Sequence, residues 1–171
     1  MNALRRILVA TDLSEASGAV FTVADDLARR SGAQLIVAHV ADLLDYDEIR
    51  RETRMALDDY LARLHAAARS AFEKAIVGET PARPVRYEVI MKAHSIPREL
   101  LELARREQVD LIVLGTHGRT GLARAVLGSV AEEVLRHAAI PVLVVPRSAV
   151  HVREGDQVDV KAPVRAEQPS A

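Results

Sequence analysis

Four of the chain's eight glycines lie within fourteen residues, at Gly115, Gly118, Gly121 and Gly128, and Ser129 follows the last of them. Glycine has no Cβ, so a backbone rich in it can approach a ligand closely and can adopt positive φ where a turn needs it. The run lies between an apolar stretch, Leu111-Ile112-Val113-Leu114, and the segment Val130-Ala131-Glu132-Glu133-Val134-Leu135. The first has the composition of a buried strand, and the second that of the opening turns of a helix. A strand, a glycine-rich loop and a helix N-terminus in that order present unpaired N–H groups and the positive end of a helix dipole. That is the chemistry of an anion site, and it points to a phosphate-bearing ligand. A second candidate is Ala10-Thr11-Asp12, which directly follows the first apolar run.

The elements that must position these residues are five β-like runs at residues 7–10, 35–40, 85–91, 111–115 and 142–145. Several are unbroken Ile, Val and Leu, as expected for strands covered on both faces of a parallel sheet. Helical patterns separate them. Ser14 is placed to cap a helix that carries Val20, Val23, Ala24, Leu27 and Ala28 on one face and closes at Gly32. One long helix is expected from about residue 45 to 76, with Leu57, Leu61, Leu64, Ala68 and Phe72 at spacings of three and four. Prolines 81 and 84 break it. Ser95 is placed to cap the next helix, with Pro97 in its first turn, and the last helix runs from Ser129 to His137. Alternation of this kind predicts an α/β fold with helices on both faces of a parallel sheet and right-handed crossovers. With strand order 3-2-1-4-5, the order reverses between strands one and four. Asp12 and the glycine loop would then meet in one crevice beyond the carboxyl ends of the strands.

Composition excludes several alternatives. The formal net charge is −1, and the aromatics are three Tyr and two Phe with no Trp, so neither nucleic acid nor an anionic membrane is an expected partner. The chain has no cysteine, which removes disulfides, thiolate catalysis and Cys-based zinc sites and fits the cytoplasm. Its opening residues enter a strand at once, without a signal-peptide layout. From Arg147 onward, charges are scattered among Val, Pro and small residues, so the expected organisation is one domain at 1–146 and an extended or partly disordered tail at 147–171.

The pattern Gly115-x2-Gly118-x9-Gly128-Ser129 resembles that of the universal stress protein family, in its ATP-binding branch. So do Ile7-Leu8-Val9-Ala10-Thr11-Asp12 and the ending Pro141-Val142-Leu143-Val144-Val145-Pro146. The resemblance implies a five-stranded parallel sheet, Rossmann-like and similar to the adenine nucleotide alpha hydrolases, paired into homodimers through residues 141–146. It implies ATP as ligand, accompanied by Mg²⁺ or Mn²⁺ held mostly by phosphates and water. Asp12 would contact the nucleotide near ribose and adenine, with Ala10 and Thr11 lining that side and Val40 packing on the base. Gly115 and Gly118, after Leu114, would let the loop backbone approach the phosphates; Arg119 and Arg124 could add charge-assisted contacts that the glycine pattern does not require, and His117 could approach a phosphate or simply be solvated. Gly128, Ser129 and Val130 would offer N–H groups, and Ser129 its hydroxyl, to the phosphate chain. Family members often carry glycine near the position of His94, so the turn there departs from the pattern.

Plainer readings stand beside these. Ser129-Val130-Ala131-Glu132 is also a capping box, which needs no ligand. Asp12 could simply cap a turn. His39, His65, His94, His137 and His151 show no metal-ligand spacing, so no protein metal site is expected. No Gly-Lys-Ser/Thr follows the glycines, which excludes a P-loop, and nothing forms a nucleophile–base–orienter set. The expected function is that of an ATP-binding, nucleotide-responsive stress regulator with protein partners the sequence does not name. The rivals are an interaction module of the same fold that binds no nucleotide, and a slow ATPase or autophosphorylating protein.

Overall fold

The computed structural model describes residues 4–76, 84–116 and 127–146. Along the chain run β1 (Arg6–Ala10), α1 (Ser17–Ser31), β2 (Gln34–Ala41), α2 (Leu43–Thr53) and α3 (Leu57–Ala75). They are followed by β3 (Arg86–Met91), α4 (Ile96–Arg106), β4 (Leu111–Gly115), α5 (Ser129–His137) and β5 (Val142–Val145). The strands form one sheet in the order β3-β2-β1-β4-β5, every neighbouring pair parallel. The fold expected from the apolar runs is therefore the fold observed.

Successive strand residues point to opposite faces, so each apolar run feeds two cores. Ile7, Val9, Leu35, Val37 and Val113 pack with Phe21 and Ala24 of α1 and with Ala68 and Phe72 of α3. Leu8, Ile36, Ala38, Ile112 and Leu114 pack with Leu100 and Leu103 of α4 and with Val134 of α5. Phe72 is fully buried and meets Phe21 edge-on at 5.5 Å and Tyr87 at 6.3 Å. At the amino ends of the strands, the Asp110 carboxylate accepts the Arg5 and Arg6 N–H groups at 2.7 and 2.9 Å. Beside it, the Arg86 guanidinium donates to both Glu107 oxygens at 2.7 and 3.1 Å. Among the described residues, no helix is long and apolar enough to cross a membrane.

Three local expectations are corrected. The long helix is two helices, broken where Arg54 takes the left-handed φ of 55° and returns its N–H to the Arg50 carbonyl. The apolar period belongs to α3 alone, where Tyr60, Ala68 and Phe72 are the buried residues, whereas α2 buries none. Nothing in Thr53-Arg54-Met55-Ala56 is a glycine or proline, so no breaker marks the turn. Helix α1 starts at Ser17, with Ala16 at the N-cap and no side-chain cap. Ser14 instead bonds Asp12 and receives the Ser17 N–H on its carbonyl. Finally, Gly128 rather than Ser129 is the N-cap of α5, so the expected capping box does not form. The Gly32 stop, with φ of 70°, and the Ser95 cap with Pro97 in the first turn are as expected.

Candidate functional site

Beyond Ala10 the backbone leaves the sheet in a tightly bonded turn. The Thr11 N–H still donates to Ala38 O at 2.9 Å, but its hydroxyl turns to local work, accepting the Leu13 N–H at 3.0 Å and donating to Ser17 Oγ at 2.9 Å. Asp12 Oδ1 accepts three bonds, from the Ser14 N–H at 3.0 Å, Ser14 Oγ at 2.7 Å and Ser17 Oγ at 3.0 Å. Its other oxygen, Oδ2, is buried and has no hydrogen-bond partner among the described residues. Leu13 between them has a φ of 62°, a left-handed conformation that costs a non-glycine residue on the order of 1–3 kcal/mol.

On the neighbouring strand, Thr116 continues the β4–β5 ladder through its N–H to Val145 O at 3.0 Å, and its carbonyl accepts the Gly128 N–H at 2.6 Å. That bond draws the two ends of the glycine loop together. Gly128, with φ −74° and ψ 152°, takes a conformation open to any residue. The first intrahelical bond of α5 runs from the Glu132 N–H to Gly128 O at 2.9 Å. The N–H groups of Ser129, Val130 and Ala131 therefore have no intrahelical partner, as at any helix start.

These two segments meet. A cleft of about 580 Å³ opens between β1 and β4, where the strand order reverses. Such a volume lies within the ordinary range for small-molecule sites. Ala10, Thr11 and Asp12 line one side and Leu114, Gly115, Gly128, Ser129 and Val130 the other, and Val40 from the end of β2 extends the wall on the β1 side. His117, Gly118 and Arg119, and Arg124 beside them, lie outside the described residues.

The cleft also holds residues that sequence reasoning did not single out. Ala38, Ile96, Leu100 and Ala131 extend its apolar wall. His39, Asp42 and Asp45 add polar groups from the end of β2 and the start of α2. Asp42 Oδ1 accepts the Leu44 N–H at 3.0 Å, capping α2, while Oδ2 pairs with the Lys92 ammonium. Lys92, followed by the Leu44 N–H, holds the Asp42 carboxyl below its ordinary range. Among the described lining residues the charged side chains are Asp12, Asp42 and Asp45, with no Lys or Arg. The α5 N-terminus adds positive potential at the cleft, its dipole being equivalent to roughly half a unit charge. A second cavity of about 360 Å³ adjoins it, sharing Asp12, His39 and Asp45 and adding Leu13, Ser14, Tyr60 and Leu64. Among the described residues, no group of three or more His, Asp or Glu side chains is placed to hold a metal ion.

The model of the universal stress protein family matches residues 3–146. The chain belongs to this family. A universal stress protein of Methanocaldococcus jannaschii is 32% identical to it over 152 residues, covering 85% of this chain and 84% of that one. The solved universal stress protein of Lactobacillus plantarum shares 28% identity and a TM-score of 0.67, over 85% of this chain and 99% of that one. A universal stress protein solved in complex with cAMP shares 25% identity and a TM-score of 0.61, over 86% of this chain and the whole of the other.

Proposed function

We propose that this universal stress protein binds an adenine nucleotide in the cleft between β1 and β4 and acts as a nucleotide-responsive regulator. The observation that carries the reading is that Ser129, Val130 and Ala131, whose N–H groups have no intrahelical partner, line the cleft that also holds Asp12. Phosphate suits that helix start, and the apolar wall of Ala38, Val40, Leu100 and Leu114 suits a base. The complex of a family member with cAMP supports an adenine ligand of this kind. ATP is the ligand proposed, with Mg²⁺ or Mn²⁺ neutralising phosphate charge that the three lining carboxylates would otherwise oppose.

On this reading the binding unit is residues 1–146, and 147–171 is an appended segment. Homodimers would form through residues 141–146, because β5 ends the sheet and pairs on one side with β4. The reading is tested by denaturing the purified protein and separating the released small molecules on an anion exchanger with mass detection. Near-stoichiometric ATP, ADP or AMP is the expected result. A protein that yields none, and fails to bind added ATP with Mg²⁺, would instead be an interaction module of the same fold.

A further inference from the structure

His39 is buried, 7% exposed, in a strand that is apolar from Leu35 to Ala41 apart from this one residue. A buried polar group of this size is retained only where its hydrogen bonds are made. Its Nδ1 lies 2.9 Å from the Thr11 carbonyl oxygen, across 28 residues of chain. A carbonyl can only accept, so Nδ1 carries the hydrogen and donates it. Thr11 is thereby held twice by β2, through its N–H to the Ala38 carbonyl and through its own carbonyl to the His39 ring. The second bond replaces a backbone ladder bond with a side chain, at the point where β1 leaves the sheet. Fixing the Thr11 carbonyl fixes the plane of the Thr11–Asp12 peptide, and so the direction in which Asp12 leaves the strand.

The turn that follows needs such a clamp. Leu13 at φ 62° is strained, and strain of this kind persists only where surrounding bonds over-determine it. His39 also lines both the cleft and the adjoining cavity, as do Asp12 from the turn and Asp45 from α2, and Tyr60 from α3 lines the cavity with them. We infer that His39 is a positioning residue of the nucleotide cleft: its Nδ1–H locks the β1–α1 turn and sets the place of Asp12 against the ligand. The inference rests on the nucleotide reading above for its effect on affinity, while the clamp itself is a property of the free protein.

The experiment compares the wild-type chain with His39→Asn, His39→Leu and Val37→Ala. Asn places its Nδ2 close to where His carries Nδ1, and Leu keeps bulk without a donor. Val37 is fully buried two residues earlier on the same face, so its truncation loosens the strand without touching the turn. AMP affinity is measured by titration calorimetry and amide exchange at Leu13 and Ser14 by NMR. His39→Leu should raise the AMP Kd roughly tenfold or more and speed both amides by a similar factor, given the cost of orphaning a buried carbonyl. His39→Asn should restore both, and Val37→Ala should change neither.

A folded His39→Leu chain with wild-type affinity and exchange overturns the inference. So does Val37→Ala weakening AMP as much as His39→Leu does, because the effect would then be general loosening of β2. If His39→Leu does not fold, His39→Gln replaces it, with a donor set one bond too far out for Thr11. A wild-type chain that binds neither AMP nor ATP with Mg²⁺ overturns the nucleotide reading instead, and exchange at Leu13 and Ser14 alone then decides the clamp.

Discussion

Replacing Ser129 with proline separates phosphate binding from folding. Ser129 is the first residue of α5, where proline is favoured, and its own N–H has no intrahelical partner to lose. Gly128 before it already has φ −74° and ψ 152°, the extended conformation that a residue preceding proline prefers. The substitution should therefore leave stability within about 1 kcal/mol of wild type. It removes the N–H and the hydroxyl of a residue that lines the cleft. A hydrogen bond to a charged group contributes about 1.5–3 kcal/mol. At about 1.4 kcal/mol per decade, the AMP Kd should rise about 10-fold to about 150-fold. Ser129→Ala, which keeps the N–H and loses the hydroxyl, should weaken AMP less. Adenosine, which has no phosphate, should bind both variants as it binds wild type. Calorimetric titration with AMP and adenosine, alongside urea denaturation, reads all of these quantities. A folded Ser129→Pro chain with the wild-type AMP Kd would show that the α5 N-terminus does not hold phosphate, and the functional reading would lose its main support.

Two further outcomes concern the scaffold. Phe72→Ala empties a fully buried site between Phe21 and Tyr87 and should cost about 3–5 kcal/mol, measured as a fall in the urea midpoint at unchanged slope; a loss under about 1 kcal/mol would mean that α3 does not seal that core. The Arg86 guanidinium, followed by Arg106, lowers the Glu107 carboxyl from 4.5 to about 2. Its folded value being the lower, this contact stabilises the protein above about pH 4.5 and is lost as the pH falls toward 2. Discounted for solvent at the partly exposed Arg86, Glu107→Gln should lower stability by roughly 1 kcal/mol near neutral pH and converge with wild type in acid, whereas a constant gap down to the lowest pH would contradict the assignment.

Much of this molecule was legible in local sequence. Unbroken apolar runs such as Leu111-Ile112-Val113-Leu114 mark strands buried on both faces, because such side chains have no solvent-facing alternative. Gly32 and Pro97 mark helix ends through backbone preferences that act within a few residues. The glycine pattern and Asp12 named both sides of the cleft, since each is a local motif beside a strand end. Other features depended on distance rather than neighbourhood. The break at Arg54 carries no breaker residue, and it lets α3 pack its own face on the sheet while α2 buries nothing. Whether Gly128 or Ser129 caps α5 was decided by the 2.6 Å bond from the Gly128 N–H to Thr116, across a loop whose ends the sheet brings together. His39 shows no ligand spacing in the sequence and looked like one more scattered histidine. Its role became visible only when the pairing of β1 with β2 set its ring against the Thr11 carbonyl. The sequence by itself determined the strands, their order of alternation with helices and the cleft-lining motifs, because propensity and hydrophobic period act over a turn or a strand. Tertiary structure alone decided which side chains wall the cleft and clamp its turn, because those bonds join residues that only the folded sheet makes neighbours.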